Sequence, residues 1–244
     1  VAIVFATLFV APRTKGDSPW KAVMYETPRE ANQLAQAQLD YYQRLADDTD
    51  KIRLIESTSD LEAVLGTWGD EQSVTDRQQG VVLLMENADP ILEPRQLEDW
   101  VERGLRIVGP AWSASRYSAG TGIPGGLTHL GIELLDVMMS FNLLLDVSHM
   151  AEQAFFQALD YYEGAIIASH SNPRKFSDTD RQLSDEMIQR LAERDGVMGI
   201  VLYNRFLNDS WSKGSRKALV PRSTIIDAID HVCQVTGSSA YVGI

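Results

Sequence analysis

Two short apolar runs that each end in Ser-His constrain this chain more than any other feature. The runs LLLDVSH and AIIASH place His149 and His170 directly after strand-like segments, with a helix-length amphipathic segment between them. A strand, a helix and a second strand of this length form a parallel crossover, in which both strands point the same way. We therefore expect the two histidines at the carboxyl edge of one sheet, where α/β folds carry their functional residues.

The same alternation of apolar runs and helical patterns extends along the whole chain. The run GVVLLM at 80–85 is typical of a parallel strand that is buried on both faces. Seven strand and helix units predict an α/β fold, and one more strand would close an eightfold barrel. The predicted strands lie near residues 1–10, 80–85, 105–108, 143–147, 165–168, 197–202 and 240–244.

The two ends of the chain suggest that the barrel continues beyond them. No Met precedes Val1, and the sequence ends at Ile244 within a strand-like pattern. We expect residues 1–244 to form a single barrel domain of a longer chain, incomplete at the first strand and after the last.

Charge and composition exclude several kinds of partner. The chain carries 34 acidic and 22 basic side chains, and its net charge of −12 would repel nucleic acids and anionic lipid surfaces. The opening apolar run is too short to span a bilayer and lacks the basic start of a signal sequence. We expect a cytoplasmic protein without a membrane segment, although secretion or anchoring stays open. Cys233, the single cysteine, is expected to be a buried or half-buried thiol.

Glu86 follows the apolar run at 80–85, so it joins His149 and His170 as a polar side chain at a strand end. In a barrel these three residues would converge at one mouth. A carboxylate and two imidazoles are donors suited to Zn²⁺ or a similar divalent ion. Each histidine alone is more often a structural residue, and position by itself favours the metal site only slightly.

Longer motifs resemble those of the renal (membrane) dipeptidase family, peptidase family M19. The segments MENADPI, DVSHM and ASHSNPR carry this resemblance together with DRQLSD, and it extends over essentially the whole chain. It implies a (β/α)8 TIM-like barrel of the metal-dependent hydrolase type, with two zinc ions at the carboxyl ends of the strands. It also implies a metallopeptidase that cleaves dipeptides by attack of a zinc-bridging hydroxide on the scissile amide.

The resemblance also implies roles for individual residues. Glu86 would bridge the two metals, while His149 and His170 would bind the second one. Arg181, eleven residues after His170, would hold the terminal carboxylate of the substrate, a task that suits a bidentate guanidinium. Asn172 is expected to line the substrate site because it follows the second histidine in the same loop.

The chain departs from the family pattern at three places. The His-x-Asp pair of the first metal site and the acid/base Asp of a Gly-x-Asp motif are absent, and we expect them before Val1 and just after Ile244. The chain then holds no catalytic acid or base, and we expect it to be poorly active alone. Trp112 stands where the family often has a His that binds the tetrahedral intermediate, and Arg116 is a speculative substitute.

Other polar residues allow both functional and structural interpretations. Asp146 would either orient a metal-bound imidazole or brace the strand end, and the two readings weigh equally. We expect Arg174 and His129 on the surface, with His129 near a helix start, and His231 facing solvent from a helix. The glycine-rich segment 113–126 is expected to be a flexible rim loop.

Three functions remain open on these grounds. The first is a zinc-dependent dipeptidase, and a second is a metal hydrolase that cleaves another small amide or ester, as the Trp112 departure allows. The third is a catalytically inactive barrel that serves as a binding or scaffold protein. The sequence does not decide the preferred dipeptide or the native metal, and a homodimer is left open.

Overall fold

Parallel strands form the centre of the molecule. The computed structural model describes residues 1–14, 19–69 and 73–244. The sequence predicts polar loops at 13–27 and 66–79, and parts of both lie outside the described residues. Eight strands make one sheet in which every pairing is parallel. The twelve described strands are β1 (Ile3–Leu8), β2 (Ala11–Pro12), β3 (Met24–Tyr25), β4 (Ile52–Leu54), β5 (Gln79–Met85), β6 (Leu105–Val108), β7 (Ser118–Gly120), β8 (Ile123–Leu127), β9 (Leu144–Asp146), β10 (Ile166–Ala168), β11 (Val197–Gly199) and β12 (Val242–Gly243).

Helices connect successive strands of this sheet, as crossover connections between parallel strands require. The described α-helices are α1 (Pro28–Asp47), α2 (Thr58–Gly66), α3 (Leu97–Glu102), α4 (His129–Ser140), α5 (Glu152–Tyr161), α6 (Asp185–Ala192), α7 (Asn204–Leu207) and α8 (Ser223–Thr236). The longest, α1, begins at a capping box in which Thr27 and Glu30 satisfy each other's backbone amides.

The order of the strands confirms the predicted fold class. The sheet runs β1-β5-β6-β9-β10-β11-β12, and β4 pairs with the start of β5. Because neighbouring strands follow one another along the chain, the sheet curls into a partial TIM-type barrel with β1 and β12 at the edges of the described sheet. The count of seven strands omits β4, a short strand at Ile52–Leu54.

Strand β5 runs through the middle of the core. Its register with β1 pairs Ile3 with Gly80 and Leu8 with Met85. Leu83, Leu84 and Met85 are buried, as expected of a strand that is covered on both faces. This burial fixes the direction of β5, and with it the place where Glu86 leaves the sheet.

Side-chain hydrogen bonds fix the connection between β9 and β10. The hydroxyl of Tyr162 donates to the carbonyl of Leu143 at 2.6 Å. Arg194 Nη2 donates to the carbonyl of Tyr162 at 2.6 Å. Burial raises the pKa of Tyr162 well above its ordinary value. The hydroxyl therefore stays protonated and holds the end of α5 against the start of β9.

The glycine-rich segment 113–126 is not the flexible loop that its composition predicts. It contains the hairpin of β7 and β8. Glycine is required at Gly120, because a Cβ there would lie 2.3 Å from the carbonyl oxygen of Ser113. Gly122, at the turn, has a φ of +79°, in the left-handed region that favours glycine. The glycines thus permit a tight hairpin beside the sheet edge.

Within the described ranges, we find no helix that combines the length and the apolar character needed to cross a bilayer.

Candidate metal centre

Three predicted ligands meet at the carboxyl edge of the sheet. Glu86 directly follows β5, while His149 and His170 lie just past β9 and β10. Glu86 Oε1 lies 3.1 Å from Nε2 of His149 and 3.2 Å from Nε2 of His170. The two Nε2 atoms are 3.1 Å apart. One carboxylate oxygen and two imidazole nitrogens therefore converge on one point, which we call the triad.

The strand between β5 and β9 leaves space for this convergence. After β6 comes Gly109, whose amide donates to the carbonyl of Met85 at 2.7 Å. A Cβ at Gly109 would lie 3.2 Å from the carbonyl oxygen of Glu86 and 3.5 Å from that of Asp146. The absence of a side chain at Gly109 thus lets ligands from β5 and β9 meet across β6.

The triad is mostly buried, and its protonation states favour metal binding. Burial alone would raise the pKa of Glu86, but the neighbouring imidazoles of His149 and His170 outweigh it and hold that pKa well below its ordinary value. Burial, with the positive charge of Arg181, lowers the pKa of His149 to about 4. At neutral pH the triad therefore offers an ionised carboxylate and a neutral His149 imidazole, the forms that bind metals.

The donor set fits a divalent metal ion. The three ligand atoms all lie within 4.8 Å of one another, and among the described residues no other group of His, Cys, Asp and Glu side chains has this arrangement. Two imidazole nitrogens with one carboxylate oxygen match the protein ligands of many zinc sites. In both histidines Nε2 faces the triad, so the outer Nδ1 atoms are free to bind orienting partners.

A hydrogen-bonded chain orients His170. Ser169 Oγ donates to Asp146 Oδ2 at 2.5 Å and lies 2.7 Å from His170 Nδ1. Because the Ser169 proton is committed to the carboxylate, its oxygen accepts from Nδ1–H, which leaves the lone pair of Nε2 for the metal. Asp146 Oδ1 also accepts from the amides of Ser148 and Ser169 at 3.1 and 3.0 Å. Asp146 therefore both orients a ligand and braces the strand ends.

A different hydroxyl contacts His149. Thr121, at the tip of the β7–β8 hairpin, places Oγ1 3.0 Å from His149 Nδ1. Sequence reasoning missed Thr121, because its contact with His149 arises only when the hairpin packs against the sheet edge. A Thr between two glycines was the only local signal, and it does not specify what the hydroxyl faces.

Arg181 lies beneath both histidine loops and is only 7% exposed. Its Nη1 donates to the carbonyl of Ser148 at 2.6 Å and its Nη2 to the carbonyl of His170 at 2.6 Å. A third bond joins Nη1 to Ser171 Oγ at 3.3 Å, and the guanidinium stacks 5.4 Å from the ring centre of Phe206. Arg181 thus ties together the backbones that carry two triad members, a structural role that the sequence did not predict.

Trp112, which the sequence predicts to lie in the substrate site, is next to the triad. Its ring centre is 6.2 Å from that of His149. On its other side it contacts Phe9 edge to face at 5.4 Å, and Phe9 contacts Trp20 in the same way at 5.2 Å. These three rings form an aromatic wall next to His149.

Asn172 and Arg174 do not face the triad. Asn172 is fully buried, and its amide accepts from the nitrogen of Val201 at 2.7 Å and donates to its carbonyl at 3.1 Å. In this structure the side chain therefore has no surface open to a substrate, which differs from its predicted position. Arg174 forms an ion pair with exposed Glu152 at 2.8 Å, in agreement with a surface charge.

Arg116 is not a substitute for the family histidine. Its guanidinium donates to the carbonyls of Ile91 and Leu92 at 2.8 and 3.0 Å, and its Nε lies 3.4 Å from Asp89. Tyr25 also donates to Asp89. The hydrogen bonds of this guanidinium therefore hold the MENADPI segment in place. The suggestion that Arg116 substitutes for the family histidine is wrong.

The two remaining histidines have separate environments. His129 is on the surface, with its side chain 92% exposed, as expected. His231 is not solvent-facing as its helical position suggests, because it is only 8% exposed. Its Nε2 lies 2.7 Å from Asp185 and its Nδ1 lies 3.3 Å from Lys175 Nζ. It thus joins α8 to the start of α6, away from the triad.

Comparisons with known proteins agree with this geometry. The model of the membrane dipeptidase family (peptidase family M19) matches residues 1–244. An "Uncharacterized protein in pqqA 5'region" of Klebsiella pneumoniae is 31% identical over 154 residues, which cover 59% of this chain and 56% of that protein. This chain therefore spans little more than half the length of that relative.

Two solved structures share the fold. The dipeptidase AC, a metallo peptidase of family M19, superposes with a TM-score of 0.80 at 20% identity, over 97% of this chain and 69% of its own. A metallo peptidase from Rhodobacter sphaeroides, liganded with a phosphinate mimic of the dipeptide L-Ala-D-Ala, gives a TM-score of 0.75 at 22% identity over 89% of this chain and 62% of its own. Since the family model matches residues 1–244, the chain belongs to the membrane dipeptidase family of metallopeptidases, peptidase family M19.

Proposed function

We propose that the protein is a zinc-dependent dipeptidase whose metal centre includes the triad of Glu86, His149 and His170. The observation that carries this proposal is the convergence of Glu86 Oε1 on both Nε2 atoms at 3.1 and 3.2 Å. Three such groups gathered at one sheet edge would be costly to keep without a ligand, since Glu86 and His149 are largely buried there and lose solvation.

Glu86 is suited to bridging two ions. Both histidines contact its Oε1, and the carboxylate of Glu86 would hold both ions, as the resemblance implies. The stoichiometry of two zinc ions per site is part of the proposal. Bound zinc supplies Lewis acidity and activates water for attack on the scissile amide.

The residues around the triad would bind and orient the dipeptide. Arg181 uses three of its five N–H donors on Ser148, His170 and Ser171, and the remaining two would hold the terminal carboxylate of the substrate. The aromatic wall that includes Trp112 would contact an apolar side chain of the substrate and exclude water from the neighbouring metal site. We expect Asn172 to affect the site only by holding the backbone of Val201 in place.

A direct test combines metal content with dipeptide hydrolysis in the protein with its full natural sequence. The panel includes L-Ala-D-Ala, whose phosphinate mimic is bound to the Rhodobacter relative, together with L,L-dipeptides and N-acyl amino acids. We expect two zinc ions per chain in the natural protein, and loss of metal and turnover in His149→Ala and His170→Ala.

His129→Ala is the matched control, because it removes an exposed imidazole, and it should retain metal and activity. If the natural protein binds zinc but cleaves no member of the panel, the dipeptidase proposal fails. If it binds no zinc, the barrel serves as a binding protein and the metal centre itself is refuted.

The remaining expectations concern the whole protein. We propose that residues 1–244 belong to a single barrel domain and that the protein works in the cytoplasm. A homodimer stays a proposal that a measurement of mass in solution would decide.

A further inference from the structure

The tip of the β7–β8 hairpin holds a hydroxyl against the outer nitrogen of His149. Thr121 Oγ1 lies 3.0 Å from His149 Nδ1 and 3.5 Å from the carbonyl oxygen of the same residue. We propose that Thr121 is a positioning residue for the metal centre, which fixes the tautomer and the ring orientation of His149. This inference rests on the proposed function, since it gives His149 the role of a ligand.

The direction of the hydrogen bonds follows from the atoms available. The Thr121 hydroxyl has one proton, and the carbonyl of His149 can only accept it. The oxygen of Thr121 is then the acceptor for Nδ1–H. With its proton on Nδ1, His149 turns the lone pair of Nε2 toward Glu86 and His170, as a metal ligand requires. Without the hydroxyl, Nδ1 would lose this acceptor.

The hairpin tip is held on several sides, so the hydroxyl has a defined position. The amide of Thr121 donates to the carbonyl of Trp112 at 3.2 Å, and the amide of Ala151 donates to the carbonyl of Ala119 at 3.2 Å. On the far side, Gly122 N donates to Asp180 Oδ2 at 2.7 Å. These three hydrogen bonds attach the tip to Trp112, to the loop of His149 and to the residue just before Arg181.

The two histidines therefore differ in how they are oriented. His170 depends on Ser169, its immediate neighbour, and on the strand-end Asp146. His149 depends on a residue from a separate hairpin. Any movement of that hairpin would change the orientation of one ligand and leave the other in place, which makes Thr121 the link between the rim of the site and its metal.

The test uses two variants of Thr121 in the natural full-length protein. Thr121→Val keeps the shape but removes the hydroxyl, and Thr121→Ser restores the hydroxyl. Zinc affinity is measured by competition with a chromophoric chelator, and the tautomer of His149 by ¹⁵N NMR of the metal-free protein. We expect Thr121→Val to bind zinc roughly 10- to 100-fold more weakly, as for other orienting partners of metal-bound histidines, and to populate the Nε2–H tautomer. Thr121→Ser should stay within about threefold of the natural protein.

Thr224→Val is the control, since this half-buried Thr lies in α8; it should leave zinc affinity unchanged. Circular dichroism and the melting temperature check that the Thr121 variants remain folded. Unchanged zinc affinity in Thr121→Val would overturn the inference. So would equal losses in the Val and Ser variants, which would indicate packing as the cause. Failure to hydrolyse dipeptides with normal zinc binding would refute only the dipeptidase proposal, whereas a natural protein that binds no zinc would refute both.

Discussion

Replacing Asp146 with Asn should reverse the hydrogen-bonded chain that orients His170. Asp146 Oδ1 accepts from two backbone amides, those of Ser148 and Ser169, whereas Oδ2 accepts from the hydroxyl of Ser169. The amide NH2 of Asn cannot face two N–H donors, so it must occupy the Oδ2 side and donate to Ser169 Oγ. The Ser169 hydroxyl then donates to His170 Nδ1, and the imidazole proton moves to Nε2.

The size of the effect follows from the contacts that change. With the proton on Nε2, His170 must change tautomer before it can bind a metal, and loss of such orienting partners typically costs 10- to 100-fold in metal affinity, or about 1.4–2.8 kcal/mol. The metal-free protein also loses the negative charge that accepts the bonds from Ser148 and Ser169. Since hydrogen bonds to a charged group contribute about 1.5–3 kcal/mol each and the amide oxygen keeps the two backbone donors, we expect a loss of about 2 kcal/mol in the free energy of unfolding.

Two measurements test this reasoning. Competition with a chromophoric chelator gives the zinc affinity of Asp146→Asn, and ¹⁵N NMR reports which nitrogen of His170 carries the proton. Asp160→Asn is the matched control, because Asp160 is exposed and its ion pair with Arg190 lies on the surface. Zinc affinity equal to that of the control would refute the argument, as would a His170 that keeps its proton on Nδ1.

Three further predictions concern the same region. After its metal is removed with a chelator, the protein should become less stable as the pH falls from 6.5 toward 4, because the unfolded chain takes up a proton that His149, with its pKa lowered to about 4, does not. The imidazole of His149 contributes at most about 1.4 kcal/mol per pH unit to this loss. Urea unfolding at several pH values should show a flatter dependence of stability on pH in His149→Gln, and an equal slope would contradict this prediction. Arg181→Lys should lower the free energy of unfolding by about 2 kcal/mol and should also lower the affinity for dipeptides, because one ammonium cannot span the two carbonyls that the guanidinium joins. A rise in KM with unchanged stability would indicate that Arg181 serves substrate binding alone. Tyr25→Phe should lower the free energy of unfolding by about 1–3 kcal/mol, because it removes a hydrogen-bond donor from buried Asp89, while kcat stays unchanged. A melting temperature equal to that of the natural protein would show that this hydrogen bond does not stabilise the fold.

The sequence predicted those parts of the fold that depend on local periodicity. Apolar runs marked the parallel strands, and because parallel strands share one carboxyl edge, the sequence alone predicts that Glu86, His149 and His170 lie together. The short β4 is not among the seven predicted strands. Of the described strands it pairs only with the start of β5, and so short a segment gives little periodicity to read.

The orienting partners were harder to predict because they come from distant parts of the chain. Thr121 reaches His149 only through the packing of a hairpin whose glycines resemble those of a loop. Arg116 and His231 look accessible in the sequence, yet long-range contacts bury His231 and occupy the guanidinium of Arg116. Asp146 and Ser169 were partly predictable, since both lie within the two Ser-His motifs.

The pairing of β9 with β10 fixes the distance between the backbones that carry the two imidazoles. These strands are directly hydrogen-bonded, with Ile167 opposite Asp146, and adjacent strands lie about 4.8 Å apart whatever ion is bound. Glu86 instead starts from β5, on the far side of β6, and extends a side chain with three rotatable bonds. Adjustment to cations of different radius therefore falls to the carboxylate, so discrimination among metals should respond more to Glu86→Asp than to changes along β9 and β10.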